Sequence, residues 1–198
     1  MQFVFATSNP HKVEEVREIL KGLDVDILSL KDLNLKVDKE ESATTFEGNA
    51  RIKAEDIASK TSIPVIADDS GLSIVALNNF PGVHSARFME GEPYEKKNRA
   101  ILEMMKDKTD RRAFFTCAVI FIDKNRSINK AFIGVADGEI IKEYDEGAKS
   151  GFGYDPIFYS YDLKKTFGRA EEEEKNSVSH RGKAFKQLIE FLSKEYSR

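Results

Sequence analysis

Along the chain, apolar positions recur first at every second residue, then at every third or fourth, then at every second again. Residues 2–7 (QFVFAT) alternate as a strand does. Ser8-Asn9-Pro10 follows and reads as a helix start, with Asn9 as N-cap and Pro10 at the first helical position, where its missing N–H is not needed. Val13, Val16, Leu20 and Leu23 then mark one helix face, with Gly22 near its end. Residues 25–30 (VDILSL) give a second strand. A β-loop-α-β opening of this kind is usual in α/β proteins.

The same reading continues to the far end. Residues 36–46 are polar and read as a loop, and a second helix runs from Phe46 to Lys60 with Ala50, Ala54 and Ile57 on one face. Pro64 to Ala67 form a short buried strand and Leu72 to Val75 the next piece of one, with Asp68-Asp69-Ser70-Gly71 between them. Residues 92–107 carry Ile101, Met104 and Met105 at helical spacing. RRAFFTCAVIFID and RSINKAFIGVADG, joined by a tight turn at Asp123-Lys124-Asn125, predict an antiparallel hairpin continued by Glu139–Tyr144. A last helix starts at the cap Ser179 and buries Phe185, Leu188 and Leu192. No repeat, low-complexity linker or composition break divides residues 1–198. The fold class is α/β: a mixed sheet flanked by helices, in one domain with two lobes.

Composition narrows the class. With 40% hydrophobic and 33% charged residues, the 198-residue chain is globular, neither disordered nor membrane-like. A net charge of −3 with scattered basic residues points away from nucleic acid and from anionic membranes as partners. The first residues lack the basic and long apolar segments of a signal peptide, and the longest apolar run, Phe114 to Ile122, is too short to span a bilayer. The lone Cys117 leaves no internal disulfide and suits a reducing compartment, so a cytoplasmic protein is expected.

Several short stretches carry candidate chemistry. In Thr7-Ser8-Asn9-Pro10-His11-Lys12 a strand feeds a helix N-terminus, whose free N–H groups and dipole favour an anion. Lys12 in the first helical turn opposes that dipole unless an anion is shared; taken alone, the motif reads equally as an ordinary N-cap with a solvated lysine. Asn49 and Lys53 lie four apart on one helix face, and Gly48 permits a close approach. Glu40, Glu41, Asp68 and Asp69 are oxygen donors without His or Cys support, which suits Mg²⁺ or Mn²⁺. Gly151, Gly153 and Asp155-Pro156 make a sharp turn, with Phe152 either exposed for stacking or a core aromatic, while His180 and Arg181 open the last helix as donors in need of an acceptor. The run Glu171–Glu174 reads as a solvated face. A serine-hydrolase elbow, a Walker A loop and a dinucleotide fingerprint are all missing, and Cys117 sits within an apolar strand as an inert core residue.

TSNPHK, TFEGNARIKA, ADDSGL, PGVHSARF, FGYDPIF and SHRGKA, in that order, resemble the inosine triphosphate pyrophosphatase family from about residue 3 to 192. The family usually shows F-x-E-N-A, whereas this chain has Phe46-Glu47-Gly48-Asn49-Ala50, with the glutamate displaced by one position. The resemblance implies a long mixed sheet split into two lobes around a cleft, and a homodimer. It also implies hydrolysis of ITP, dITP and XTP to the monophosphate and pyrophosphate with Mg²⁺. By the same resemblance Asp69 is general base and metal ligand, and Glu41 is a second ligand. Thr7 to Lys12 and Lys53 hold the triphosphate. Ser70, Phe152, Gly153, Tyr154, Asp155, Lys175, His180 and Arg181 complete the nucleotide contacts. A related pyrophosphatase of modified pyrimidine nucleotides and a non-catalytic nucleotide-binding regulator are the alternatives; the second leaves the acids without a purpose.

Overall fold

The computed structural model describes residues 1–149 and 152–196. In it the two-residue period of the strands sorts side chains onto opposite faces of one sheet. Strand β1 (Gln2–Phe5), helix α1 (Pro10–Ile19) and strand β2 (Asp26–Ser29) realise the predicted opening, with Asn9 capping α1 by accepting from the His11 N–H. Helix α2 (Phe46–Ala58) is capped by Thr45, and strand β3 (Val65–Ile74) follows. Next come β4 (Phe80–Pro81), helix α3 (Tyr94–Met104), β5 (Arg112–Asp123) and β6 (Ile128–Ile140). Strands β7 (Phe158–Ser160) and β8 (Lys165–Thr166) and helices α4 (Glu172–Val178) and α5 (His180–Glu195) complete the described elements.

The eight strands order as β2-β1-β3-β5-β6-β7-β8, with β4 beside β3. β1 runs parallel to β2 and β3, with Val4 opposite Val65 and Phe5 opposite Ile66. β4 is antiparallel to β3, and β6, β7 and β8 are antiparallel in turn, so the sheet is mixed, as the sequence predicted.

The chain divides into two compact units. The first holds residues 1–69, 117–134 and 184–198, and the second 70–116 and 135–183. In the first unit, Phe3, Phe5, Ile66, Cys117, Val119 and Phe121 face α1 and the α5 residues Phe185, Leu188 and Leu192. Val4, Ala6, Val65, Ala67, Ile120 and Ile122 face α2 through Ala50, Ala54 and Ile57. Cys117 is a buried core residue, as its place in an apolar strand predicts. The second unit packs Leu72, Ile74, Ile101, Met105, Phe115, Phe158 and Phe167 together.

Two expectations change and one is extended. Asp68-Asp69-Ser70-Gly71 do not join two strands; they lie inside the continuous β3. Glu171 to Glu173 are exposed, as a solvated face should be, and the run also starts α4, where the Glu171 and Glu174 side chains form a reciprocal capping box and the acids complement the helix dipole. The turn after β5 is a 3-10 turn over Lys124–Arg126, closed by Ser127 at φ 54°, and β6 stops at Ile140, short of Tyr144.

Candidate active site

The continuity of β3 explains the adjacent aspartates. Neighbouring positions on a strand project to opposite faces. Ile66 packs toward α1 and Ala67 toward α2, so the next two residues continue that alternation. Asp68, fully buried, meets Lys12 of α1, whose Nζ lies 3.2 and 3.3 Å from its two carboxylate oxygens. Asp69 belongs to the α2 side, where Lys53 and Glu41 dominate its surroundings together with burial. One strand thus turns two like charges to opposite faces: Asp68 pairs with Lys12, while the charge of Lys53 acts on both acids. The pairing register of β3 with β1 ends at Ile66, so both acids sit beyond the C-terminal end of β1, where the Thr7–Lys12 turn begins. Carboxyl ends of parallel strands are where open α/β sheets bind ligands.

Lys53 Nζ contacts Glu41 Oε1 at 2.6 Å. Burial alone would lower the Lys53 pKa, yet Asp68, Glu41 and Asp69 together hold it above the ordinary lysine value. Asp69 is pushed up to about 6, mainly by burial, with Glu41 and Asp68 raising it further while Lys53 and Lys12 pull it down. Its Oδ2 is buried with no hydrogen-bond partner among the described residues. A carboxyl with an orphaned oxygen and a pKa near the working range is suited to accepting a proton or a cation.

The Thr7–Lys12 turn is held by its own side chains: Thr7 Oγ1 accepts from the Asn9 N–H at 3.1 Å, and Asn9 Oδ1 from the His11 N–H at 3.0 Å. Ser8, Asn9, Pro10 and His11 are exposed there. Asn49, buried, does not share a role with Lys53; its Oδ1 accepts from the Ala43 N–H at 2.9 Å and fixes the segment that carries Glu41. Glu47 points elsewhere: it pairs with Arg51 at 3.2 Å on a half-exposed face. Among the described residues, no three His, Cys, Asp or Glu side chains form a group that could hold a metal ion; Glu41 and Asp68 each pair with a lysine.

The second unit carries the other candidates. Phe152 is half exposed, with Lys175 Nζ 5.7 Å from its ring centroid. Gly153 has φ +56°, a left-handed conformation that a side chain would strain. Tyr154 is buried and donates its hydroxyl to the Ser85 carbonyl at 2.5 Å, while Lys175 donates to Asp155 Oδ2 at 2.5 Å. His180 stacks on Phe115 at 4.7 Å, and Arg181 Nη2 reaches Ser70 Oγ at 3.4 Å. Both helix-start donors are buried, as is their cap Ser179, which accepts from the Gly182 N–H. Gly151 lies outside the described residues.

Sequence reading missed Asn98 and Ser85. Asn98, fully buried on α3, donates to the Gly153 carbonyl at 3.0 Å and so supports the Phe152–Asp155 turn. A polar residue on an apolar helix stripe was its only signal.

The profile of the Ham1 family matches residues 3–191. The chain belongs to the Ham1 family. Proteins described as dITP/XTP pyrophosphatase are similar over nearly their whole length. That of Leptospira interrogans is 45% identical over 193 residues, covering 96% of each chain. That of Dictyoglomus thermophilum is 44% identical, over 96% of this chain and 93% of its own. A Ham1 structure from Coxiella burnetii superposes with a TM-score of 0.89 at 36% identity, covering 98% of this chain and 99% of its own. The Staphylococcus aureus Ham1 protein gives the same score and identity, over 98% and 100%. The Ham1 fold is therefore the one the six motifs predicted.

Proposed function

We propose that this chain hydrolyses the α–β phosphoanhydride of the non-canonical purine nucleotides ITP, dITP and XTP, releasing the monophosphate and pyrophosphate. Its similarity to dITP/XTP pyrophosphatases supports the substrate class. The observation that carries the chemistry is Asp69, a half-buried carboxyl with one buried, orphaned oxygen and a pKa raised to about 6, set among Lys53, Lys12 and Glu41. As the general base it takes a proton from water, which a positioned side chain does with a gain of about 10² to 10⁴ in rate.

Lys12 and Lys53 exchange their carboxylate partners for phosphate oxygens when the triphosphate arrives. That exchange frees Glu41, which with Asp69 offers hard oxygens that fit a divalent cation, Mg²⁺ with Mn²⁺ as substitute. Such an ion, when bound, neutralises charge on the phosphates and polarises them. The Thr7–His11 turn, exposed from Ser8 onward, leads into the N-terminus of α1, whose dipole favours the same anion. Within the second unit, the half-exposed Phe152 suits stacking on a purine base, Gly153, Tyr154 and Asp155 with Lys175 form the turn around it, and Ser70, His180 and Arg181 are hydrogen-bonding groups. A donor from Arg181 suits the keto oxygen at position six of hypoxanthine and xanthine and leaves an adenine amino group mismatched. Guanine shares that oxygen and is excluded by pocket shape. We read the protein as a cytoplasmic homodimer; light scattering after gel filtration tests the second half of that reading.

The deciding experiment incubates the protein with ITP and Mg²⁺ and assays phosphate with and without added inorganic pyrophosphatase. Phosphate should appear only when that enzyme is added. Phosphate released without it means stepwise cleavage and overturns the proposal.

A further inference from the structure

We propose that Gly48 and Ala43 form a matched contact that positions Glu41, and that Gly48 is a positioning residue for this reason. The inference rests on the reading of Glu41 as a metal ligand. Gly48 is the third residue of α2, and its N–H donates to the cap Thr45 Oγ1 at 3.0 Å. A Cβ placed on Gly48 would lie 2.6 Å from the Ala43 Cβ and 3.0 Å from Thr45 Oγ1. The first distance is too short for two carbon atoms, so a side chain at 48 forces residue 43 away from the helix.

Residue 43 is not free to move alone. Its N–H is bonded at 2.9 Å to Oδ1 of Asn49, a side chain that is itself buried. The chain between Glu41 and Thr45 is thus clamped on the first turn of α2 by one hydrogen bond, one cap and one methyl-to-backbone contact. Glu41, two residues upstream of the clamp, then meets Lys53 one turn further along the same helix. Displacing Ala43 displaces the carboxylate. The replacement of a glutamate by glycine at this point of the motif follows from the space that the Ala43 methyl already fills. Glu47, the neighbouring acid, turns outward to Arg51 and does not compensate.

The sign of the effect separates this contact from ordinary helix propensity. Alanine is the better helix former, so Gly48→Ala on an open surface would stabilise α2. Here it should loosen the Glu41 segment. Removing the opposing methyl with Ala43→Gly should restore it.

The test compares wild type, Gly48→Ala, the double variant Gly48→Ala/Ala43→Gly and Glu41→Gln. Mn²⁺ binding is followed by electron paramagnetic resonance with α,β-methylene-ITP present, alongside thermal melting. Gly48→Ala should weaken Mn²⁺ binding by about 10- to 100-fold, the usual cost of disturbing a ligand's support. The double variant should return to within about twofold of wild type. Undiminished Mn²⁺ affinity in Gly48→Ala, with Glu41→Gln weakened, overturns the inference alone. A double variant as weak as Gly48→Ala overturns it too. Should Gly48→Ala fail to fold, recovery of folding and Mn²⁺ binding in the double variant supports the contact, and no recovery sinks it. Glu41→Gln with wild-type affinity instead defeats the underlying reading of Glu41.

Discussion

Asp69 and Asp145 are the same residue type in two regions, and the fold pushes them in opposite directions. Asp145, in the second unit, accepts from Arg169 Nε and Nη2, from Thr166 Oγ1 and from the Gly147 N–H. Every oxygen is engaged, and the Arg169 guanidinium beside it, with Thr166 and Gly147, holds its pKa down at about 2. Asp69 has one oxygen orphaned and a pKa of about 6. A carboxylate whose hydrogen bonds are complete stabilises a loop; one left incomplete is available for chemistry. The cost falls on the fold. Asp69 binds its proton more tightly in the native state than when unfolded, so its contribution is fully present below about pH 4 and is lost as pH rises through about 6.

The largest expected effect separates these two acids. Asp69→Asn should lower kcat by at least about 10² to 10⁴, and in chelator at pH 8 it should melt no lower than wild type, because an ionised, poorly solvated group has gone. Near-normal turnover would transfer the base role to Asp68. A marked drop in melting temperature would place Asp69 with Asp145 as a structural acid.

Next come the lysines that distinguish the Asp69 region. Lys12→Ala and Lys53→Ala should each lose about 1.5–3 kcal/mol of transition-state binding, read as kcat/KM for ITP, since each removes a charge-assisted contact. Unchanged kinetics in both would mean that these lysines serve only their carboxylate partners.

A smaller effect bears on the second unit's binding residues. Arg181→Ala should reduce activity on ITP about tenfold or more relative to ATP, equivalent to one hydrogen bond to a charged donor. Equal loss on both substrates would assign Arg181 to phosphate or to α5, not to the base.

The smallest expected effect lies in the Asp145 region. Asp145→Asn should leave kcat unchanged and cost about 1–2 kcal/mol at pH 7, the full linkage value being reduced because Arg169 is more than half exposed. The sign is opposite to that of Asp69: a lowered pKa gives stability that is present above about pH 4 and lost as pH falls through about 2. Urea titration at pH 7 and pH 3 measures it. A variant as stable as wild type at pH 7 would reduce the Asp145 network to surface decoration.

By itself the sequence determined the order of the main elements, the mixed α/β class and the family, because periodicity, caps and turn residues are local signals. Asn9 and Pro10 start α1, and Ser179 starts α5, where those residues predict. The candidate acids and lysines were legible as unusual charges beside apolar stretches. Which acid meets which lysine was not. That depends on β3 running unbroken through Asp68 and Asp69, so that alternation sends one to α1 and the other to α2. Two short apolar runs with four polar residues between them look the same whether the backbone turns or continues. Asn98 beneath Gly153 and Ala43 against Gly48 were likewise invisible, since each contact is made by packing across elements or loops and leaves no periodic trace. Local propensity fixes where a side chain sits along its element, while only the packed tertiary structure decides what it faces.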